Sequence, residues 1–365
     1  MTGLLHMEIP HSWEDCITQL VSDFHKPQIV FVIGAPDVGK TTFCCMLANA
    51  AVEAGLSTMI IDSDVGQSDI GPPTTIGLGR VHRTIGDLSE AEYVAGFFVG
   101  HVSPAGHLLP MVVGTKLMVD KAIANGAQFI IVDTTGLVKG LVGRELKLQK
   151  VRLIKPTSLV AIERGRELLH LLVVLERLKW LRVFRLDAPA TARQRDKETR
   201  KSHREHKFRL AFKDAKEVEI PLSEVALLNT WLGSGVPVHQ SFIAYLSELA
   251  ETSVVHAERC DDIGLLVIEE NIDEISRKWI ASRWGVNDVI TIPLECIYGL
   301  VLGLHDANGE LLCIALLVGF DASSKSLRVL MPSSVSPNDV ALIVFGRHRV
   351  NPDGTEIGSL SSQAL

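Results

Sequence analysis

The sequence predicts an α/β protein: a three-layer α/β/α sandwich around a mostly parallel sheet, followed by a smaller β-rich domain. Three observations carry this. Residues 28–188 alternate short apolar runs with helical stretches, the pattern of parallel strands joined by crossover helices. The first of these runs, 29–33, breaks into a Gly-rich loop that opens directly into a helix. After about residue 216 the pattern shifts toward β structure, and Asp306-Ala307-Asn308-Gly309 sits between the apolar runs 296–304 and 311–320 as a hairpin signal.

Each element has its local reason. Residues 1–27 are a short lead-in, of which 12–24 reads as one amphipathic helix. Apolar runs of strand length recur at 58–62, 92–99, 129–133, 159–163 and 182–186. Residues 43–54, 111–124 and 167–178 are patterned as helices. From Arg193 to Lys216, ten Lys or Arg stand against four Asp or Glu, and no Gly or Pro interrupts 191–219, so a helix is permitted. Asp353-Gly354 marks a further turn. The expected organisation is a lead-in at 1–27, a domain at 28–215 with a lid at about 189–212, and a β-rich domain at 216–365.

Composition bounds the function. A chain of 365 residues with 47% apolar and 22% charged residues has material for a sizeable core, which excludes global disorder. A net charge of −7 argues against a general nucleic-acid coat but permits a local basic groove. The six cysteines (16, 44, 45, 260, 296 and 313) show no C-x-x-C or metal-ligand spacing, and a reducing compartment fits them. The N-terminus lacks a basic region followed by an apolar run, and no stretch has the length and hydrophobicity of a membrane span. A cytoplasmic protein is expected.

The chemistry is concentrated in three motifs. Gly34-Ala35-Pro36-Asp37-Val38-Gly39-Lys40-Thr41 fits G-x-x-x-x-G-K-[ST], with Thr42 following, so the α/β domain is expected to be of the P-loop NTPase type. Its glycines let successive N–H groups curl around a phosphate at a helix N-terminus. Lys40 can reach the β- and γ-phosphates, and the Thr41 hydroxyl can ligate Mg²⁺. A second strand ends in Asp62-Ser63-Asp64-Val65-Gly66-Gln67, where a carboxylate can hold Mg²⁺ or orient an attacking hydroxyl, and Gln67 can position nucleophile or phosphate. A third strand, 129–132, runs into Asp133-Thr134-Thr135-Gly136-Leu137, the pattern of a Walker B carboxylate and a nucleotide-sensing loop. Either acidic motif alone is also what an ordinary strand-end turn looks like. The basic stretch reads either as a solvated helix face or as an arginine lid, with Arg195, Arg200 and Arg204 spaced five and four apart. No N-K-x-D or T-K-x-D is present to read guanine, which favours ATP over GTP.

Together these motifs resemble the polynucleotide 5′-hydroxyl kinase family of RNA-processing P-loop kinases, in a compact form like its prokaryotic members. The resemblance covers roughly residues 28–350. It also rests on Phe98-Val99-Gly100-His101-Val102-Ser103-Pro104, on Arg195-x₄-Arg200-x₃-Arg204-x₄-Arg209-x₂-Phe212 and on the 300–320 hairpin, with Asp64-x-x-Gln67 its most specific element. It implies ATP- and Mg²⁺-dependent phosphorylation of a 5′-hydroxyl end of RNA or DNA. By the same resemblance Asp64 orients or deprotonates the hydroxyl, and Lys40 and Thr41 hold the β/γ-phosphates. Arg195 and Arg200 stabilise the transferring phosphoryl, while 134–137 match the T-x-G-W clasp on the terminal nucleotide. Leu137 stands where that clasp carries Trp, which removes a stacking platform worth about 1–3 kcal/mol per base. By the same resemblance, residues 1–27 are not expected to supply a counterpart of the large N-terminal β domain of the eukaryotic splicing kinase. The expected assignment is catalysis by Lys40, Asp64, Arg195 and Arg200, acceptor binding by Gln67, Thr134, Thr135, Gly136, Leu137 and Arg204, and Mg²⁺ on Thr41, Asp64 and Asp133. A non-catalytic ATP-binding scaffold of an RNA-processing complex and an ATPase switch are the alternatives.

Overall fold

The computed structural model describes residues 9–22, 27–191 and 196–360. The chain divides into two compact units, Met1–Arg204 and Glu205–Leu365. In the first unit the elements are α1 (His11–Ser22), β1 (Gln28–Gly34), α2 (Lys40–Glu53), β2 (Thr58–Ser63), β3 (Thr75–Val81) and β4 (Glu92–Phe98). They continue with α3 (Leu108–Ala124), β5 (Phe129–Thr134), α4 (Gly140–Ile154), β6 (Ser158–Glu163), α5 (Leu169–Leu175) and β7 (Arg182–Asp187). The division falls inside the next helix, α6 (Lys197–Ala211), ahead of the expected 215/216.

The sheet order is β4-β3-β2-β5-β1-β6-β7. Five strands, β2, β5, β1, β6 and β7, are parallel, while β3 runs antiparallel to β2 and β4 to β3. Strands β1, β2, β5 and β6 are buried along their whole length. Covering both faces of a parallel sheet demands this, and it explains why these strands read as unbroken apolar runs. The lead-in helix is part of the core. Trp13 is fully buried, meets Phe43 of α2 edge-on at 5.3 Å and donates its indole N–H to the Asp187 carbonyl at 3.0 Å.

Two elements escape the pattern read from sequence, β3 and α4. Strand β3 has glycines at 77 and 79 where a turn would usually be read. They are there because the backbone passes against Ile70: a Cβ on Gly77 would overlap the Ile70 carbonyl, and one on Gly79 would sit 2.9 Å from Ala91. Helix α4 buries Lys147 and Lys150 on its core face, so its polarity pattern misreports which side is inside.

The second unit holds β8 (Ala215–Pro221), β9 (Ala226–Leu228), β10 (Val236–Pro237), α7 (Gln240–Ala250), β11 (Val254–Cys260), β12 (Ile263–Ile268), α8 (Glu274–Trp284) and β13 (Asp288–Pro293). It ends with α9 (Leu294–Ile297), β14 (Leu300–His305), β15 (Leu311–Asp321), β16 (Ser326–Pro332), β17 (Leu342–Val350) and β18 (Glu356–Ser359). One sheet runs β18-β17-β14-β15-β16-β8, with β9 beside β17; the other runs β10-β11-β12-β13. This is the β-rich region expected. The hairpin turns at 306–309 between β14 and β15, and Gly354 turns with a positive φ of 87° between β17 and β18. Cys296 lies in the short helix α9, not in the strand that follows it. The C-terminal turns of α6 belong to this unit through Phe208, fully buried and stacked on His348 at 5.6 Å.

Candidate active site

The site is built by strand register. Asp133 of β5 is paired on one side with Val32 of β1 and on the other with Asp62 of β2, and Ser63 is paired with Thr134. Three loops therefore leave adjacent strand tips at the carboxyl end of the sheet: the phosphate loop after β1, 64–69 after β2 and 135–139 after β5. Crevices at that end are where open α/β sheets bind ligands.

In the phosphate loop, Gly39 has φ +93° and leads into α2, whose first residue is Lys40. A Cβ at Gly39 would come within 2.9 Å of Trp13, and one at Gly34 within 2.6 Å of the Ile162 carbonyl, so both glycines are required by close approach. Lys40 is buried and donates to the Ala35 carbonyl at 2.9 Å. The Thr41 hydroxyl donates to Asp133 Oδ2 at 2.7 Å. Asp133 Oδ1 is buried without a hydrogen-bond partner among the described residues. Burial pushes the Asp133 carboxyl up, against the pull of Lys40 and the Thr41 hydrogen bond. A carboxylate with one oxygen on the P-loop threonine and the other unmatched suits a hydrated divalent cation. Among the described residues no three His, Cys, Asp or Glu side chains gather as a metal cluster. Mg²⁺ needs no such cage, being held by one or two carboxylates together with substrate phosphates.

The β2 loop is organised by Asp62, which sequence reasoning left in the background of Asp64. Its carboxylate is buried and accepts the N–H groups of Asp64 (3.0 Å), Asp69 (2.6 Å) and Ile70 (3.1 Å), curling the loop around itself. Burial, with the nearby carboxylates of Asp69 and Asp133, pushes its proton affinity up. Asp64 is half-buried and accepts the Gly66 N–H at 3.1 Å. Gly66 is tight against the Val102 carbonyl, so the 98–104 motif backs this loop. The Gln67 amide donates to the backbone carbonyl of Arg200 at 3.2 Å. The side chain thus faces the basic helix.

The clasp residues lie directly on the phosphate loop: a Cβ at Gly136 would be 2.7 Å from the Pro36 nitrogen. Thr134 donates to the Val32 carbonyl at 2.7 Å, and Thr135 Oγ1 accepts the Leu137 N–H at 2.9 Å. Leu137 is half-buried and packs on the core. Of the basic residues, Arg200 reaches the phosphate loop, where its guanidinium pairs with the Asp37 carboxylate. Arg204 is half-buried near the end of the first unit. Arg195 lies outside the described residues.

Three site residues were not foreseen. Arg164 donates to the Asp37 carbonyl at 2.6 Å, bracing the loop that Arg200 also grips. Lys147 and Lys150 are fully buried beneath the clasp and the β2 loop. Burial drives Lys147 well below the usual lysine range and Lys150 down to about 7. Their spacing places them with Gly143, Leu146, Val151 and Ile154 on the buried face of α4, a signal visible only once the helix is known.

A phosphate loop whose threonine is bonded to a Walker B aspartate, on a mostly parallel sheet, defines a P-loop nucleotide-binding protein. The sequence model of the mRNA cleavage and polyadenylation factor CLP1 P-loop matches residues 34–214. A polyribonucleotide 5′-hydroxyl-kinase of Methanocaldococcus jannaschii is 31% identical over 98% of this chain and 96% of its own length. Those of Pyrococcus furiosus and Thermococcus kodakarensis are 30% identical over 99% and 98%, and 32% identical over 96% and 95%. The solved structure of Clp1p with Pcf11p superposes with a TM-score of 0.61 at 11% identity, covering 94% of this chain and 80% of that one, a likeness of fold. The chain belongs to the family of CLP1-type P-loop proteins and polyribonucleotide 5′-hydroxyl-kinases.

Proposed function

We propose that the protein is an ATP-dependent polynucleotide 5′-hydroxyl kinase that transfers the γ-phosphate of ATP to the 5′-hydroxyl of RNA. The observation that carries this reading is the register β2-β5-β1, which sets Asp64, the clasp and the Thr41–Asp133 bond on neighbouring strand tips. In this reading Asp64 accepts the 5′-hydroxyl proton as the oxygen attacks the γ-phosphorus. The bond from that phosphorus to the β,γ-bridging oxygen breaks, and ADP leaves. Lys40 turns from the Ala35 carbonyl to the β/γ-phosphates, and Arg200 exchanges Asp37 for the transferring phosphoryl, with Arg195 as its partner. Thr41 and Asp133 would hold Mg²⁺, which supplies neutralisation of phosphate charge. Phosphoryl transfer needs alignment and charge neutralisation more than covalent help, and each loop supplies one of these. The six free thiols support placing the enzyme in a reducing cytoplasm.

The test is incubation with γ-labelled ATP, Mg²⁺ and matched 5′-hydroxyl RNA and DNA oligomers. Label is expected on RNA and is expected to vanish in Lys40→Ala. Labelled phosphate without labelled oligomer would assign an ATPase switch. ATP binding with neither product would assign a non-catalytic scaffold, the reading that Leu137 favours.

A further inference from the structure

Lys147 and Lys150 lie three residues apart on one face of α4, and neither side chain is exposed to solvent. Burying an ammonium group costs several kcal/mol, and a Met or Leu at either position would fill a similar volume without that cost. Each lysine ends on one loop of the site. Lys147 donates to Thr134 Oγ1 at 2.8 Å and to the Thr135 carbonyl at 2.6 Å, and Thr134 in turn donates to the Val32 carbonyl at 2.7 Å. This chain ties the first two clasp residues to the strand that carries the phosphate loop. Lys150 donates to the Ser63 hydroxyl, the residue between Asp62 and Asp64. Ser63 then meets Thr115 of α3 at 3.0 Å, and Thr115 donates to the Met111 carbonyl at 2.7 Å. With the Thr115 proton committed to that carbonyl, the Ser63 proton points at Thr115, and the Lys150 amine donates to Ser63, which gives the chain one direction.

Burial, then the neighbouring Lys150 and Lys40, push Lys147 down, and Asp64 and Asp133 only partly offset them. Asp64 and Asp62 attract Lys150. Two amino groups that never reach solvent therefore end on the clasp and on the β2 loop, next to the carboxylates of both acidic motifs.

We propose that Lys147 and Lys150 are positioning residues for phosphoryl transfer, Lys147 setting the clasp on the acceptor and Lys150 setting the Ser63–Asp64 turn on the reacting hydroxyl. The proposal rests on the 5′-hydroxyl kinase reading of the same site. It assigns the two lysines different kinetic signatures. Loss of Lys147 loosens acceptor binding, so its effect falls on the acceptor KM. Loss of Lys150 leaves both substrates bound but shifts the base, so its effect falls on kcat.

The experiment measures kcat, KM for ATP and KM for a 5′-hydroxyl RNA oligomer in wild type, Lys147→Met and Lys150→Met. The partner-side variants Thr134→Val and Ser63→Ala keep the lysines and provide the second arm should a Met variant not fold. Expected results are an acceptor KM raised about tenfold in Lys147→Met, and a kcat lowered about 10²-fold in Lys150→Met, the cost of roughly a 1 Å misplacement. KM for ATP should stay within about twofold in both. In the double-mutant cycle, Lys150→Met on Ser63→Ala should add little to either single change, because the two act as one unit. Wild-type transfer with unaltered kcat and acceptor KM in the variants, or additive effects of Lys150 and Ser63, would overturn the positioning roles and leave the kinase reading intact. Wild-type protein that labels no 5′-hydroxyl oligomer would overturn the kinase reading, and this proposal with it.

Discussion

Arg200 and Asp64 are the residues on which the proposed chemistry turns, and the structure gives each a different kind of constraint. The Arg200 guanidinium is held by the Asp37 carboxylate inside the phosphate loop, so a phosphate entering that loop competes directly with Asp37 for it. Arginines in this role are worth about 10³–10⁵ in kcat, and Arg200→Ala is expected to lower kcat on that scale with modest change in ATP binding. Unchanged turnover would remove the basic helix from the mechanism. For Asp64→Asn, the Gly66 N–H keeps an oxygen acceptor, so the loop should keep its shape and ATP should still bind. Transfer should collapse. Equal loss of ATP binding and transfer, read by a fluorescent nucleotide and by labelled product, would instead assign Asp64 to the metal. At this scale the sequence was legible wherever chemistry forces a motif, as in Lys40, Thr41 and Asp133. It was silent on Lys147 and Lys150, because lysine is so seldom buried that no pattern of residue types announces it.

At the scale of elements, the clasp and the phosphate loop are fitted to each other through a glycine. Gly136→Ala places a methyl 2.7 Å from the Pro36 nitrogen, and backbone cannot yield as a flexible side chain would. We expect this variant to fold, since the contact is at a loop surface, and to lose at least about tenfold in kcat/KM for ATP as the two loops separate. Unaltered kinetics would show that the loops move apart without consequence. Strands with continuous apolar runs, β1, β2, β5 and β6, were read from sequence almost to the residue, because burial on both faces leaves no room for polar interruption. Strand β3 was not, since its glycines answer to Ile70, a contact that exists only after folding. In the second unit, Glu258 of β11 shows the same limit. It is buried, accepts the N–H groups of Gly233 and Gly235 at 3.0 Å each, and pairs with buried His256 at 2.8 Å. Burial alone would raise its carboxyl, but these hydrogen bonds outweigh it and hold the group below the usual glutamate range. A depressed carboxylate stabilises the fold above its unfolded value, about 4.3, and that contribution is lost as pH falls through the lower folded value. Glu258→Gln is expected to melt below wild type near pH 7, with a loss of about 1–3 kcal/mol from hydrogen bonds to a charged acceptor. The gap should close as the pH drops below about 4. A gap independent of pH in thermal unfolding would mean that the charge of Glu258 is irrelevant.

The whole molecule poses a problem that neither residues nor elements answer: a chain of net charge −7 is proposed to act on a polyanion. A kinase of 5′ ends needs to hold only the terminus, and the charge distribution fits that need. The basic run from 193 to 216, ten Lys or Arg against four Asp or Glu, is a local exception in an acidic chain. Long-range repulsion then discourages binding along the body of the RNA while the site itself stays attractive. The salt dependence of acceptor binding reads this directly, because log K falls with log salt at a slope of about −0.7 for each single-strand phosphate neutralised. Contact with two or three terminal phosphates gives a slope of about −1.4 to −2.1. We therefore expect acceptor affinity to fall by less than about twentyfold between roughly 50 and 200 mM salt, and to stop rising once the oligomer exceeds a few nucleotides. Measuring the acceptor dissociation constant for 5′-hydroxyl RNAs of increasing length at both salt concentrations tests this. A slope steeper than about −5, or affinity that climbs steadily with length, would mean that the protein grips RNA along an extended basic track. The acidic surface would then have to be offset by a continuous cationic path, and the selectivity for ends would need another origin.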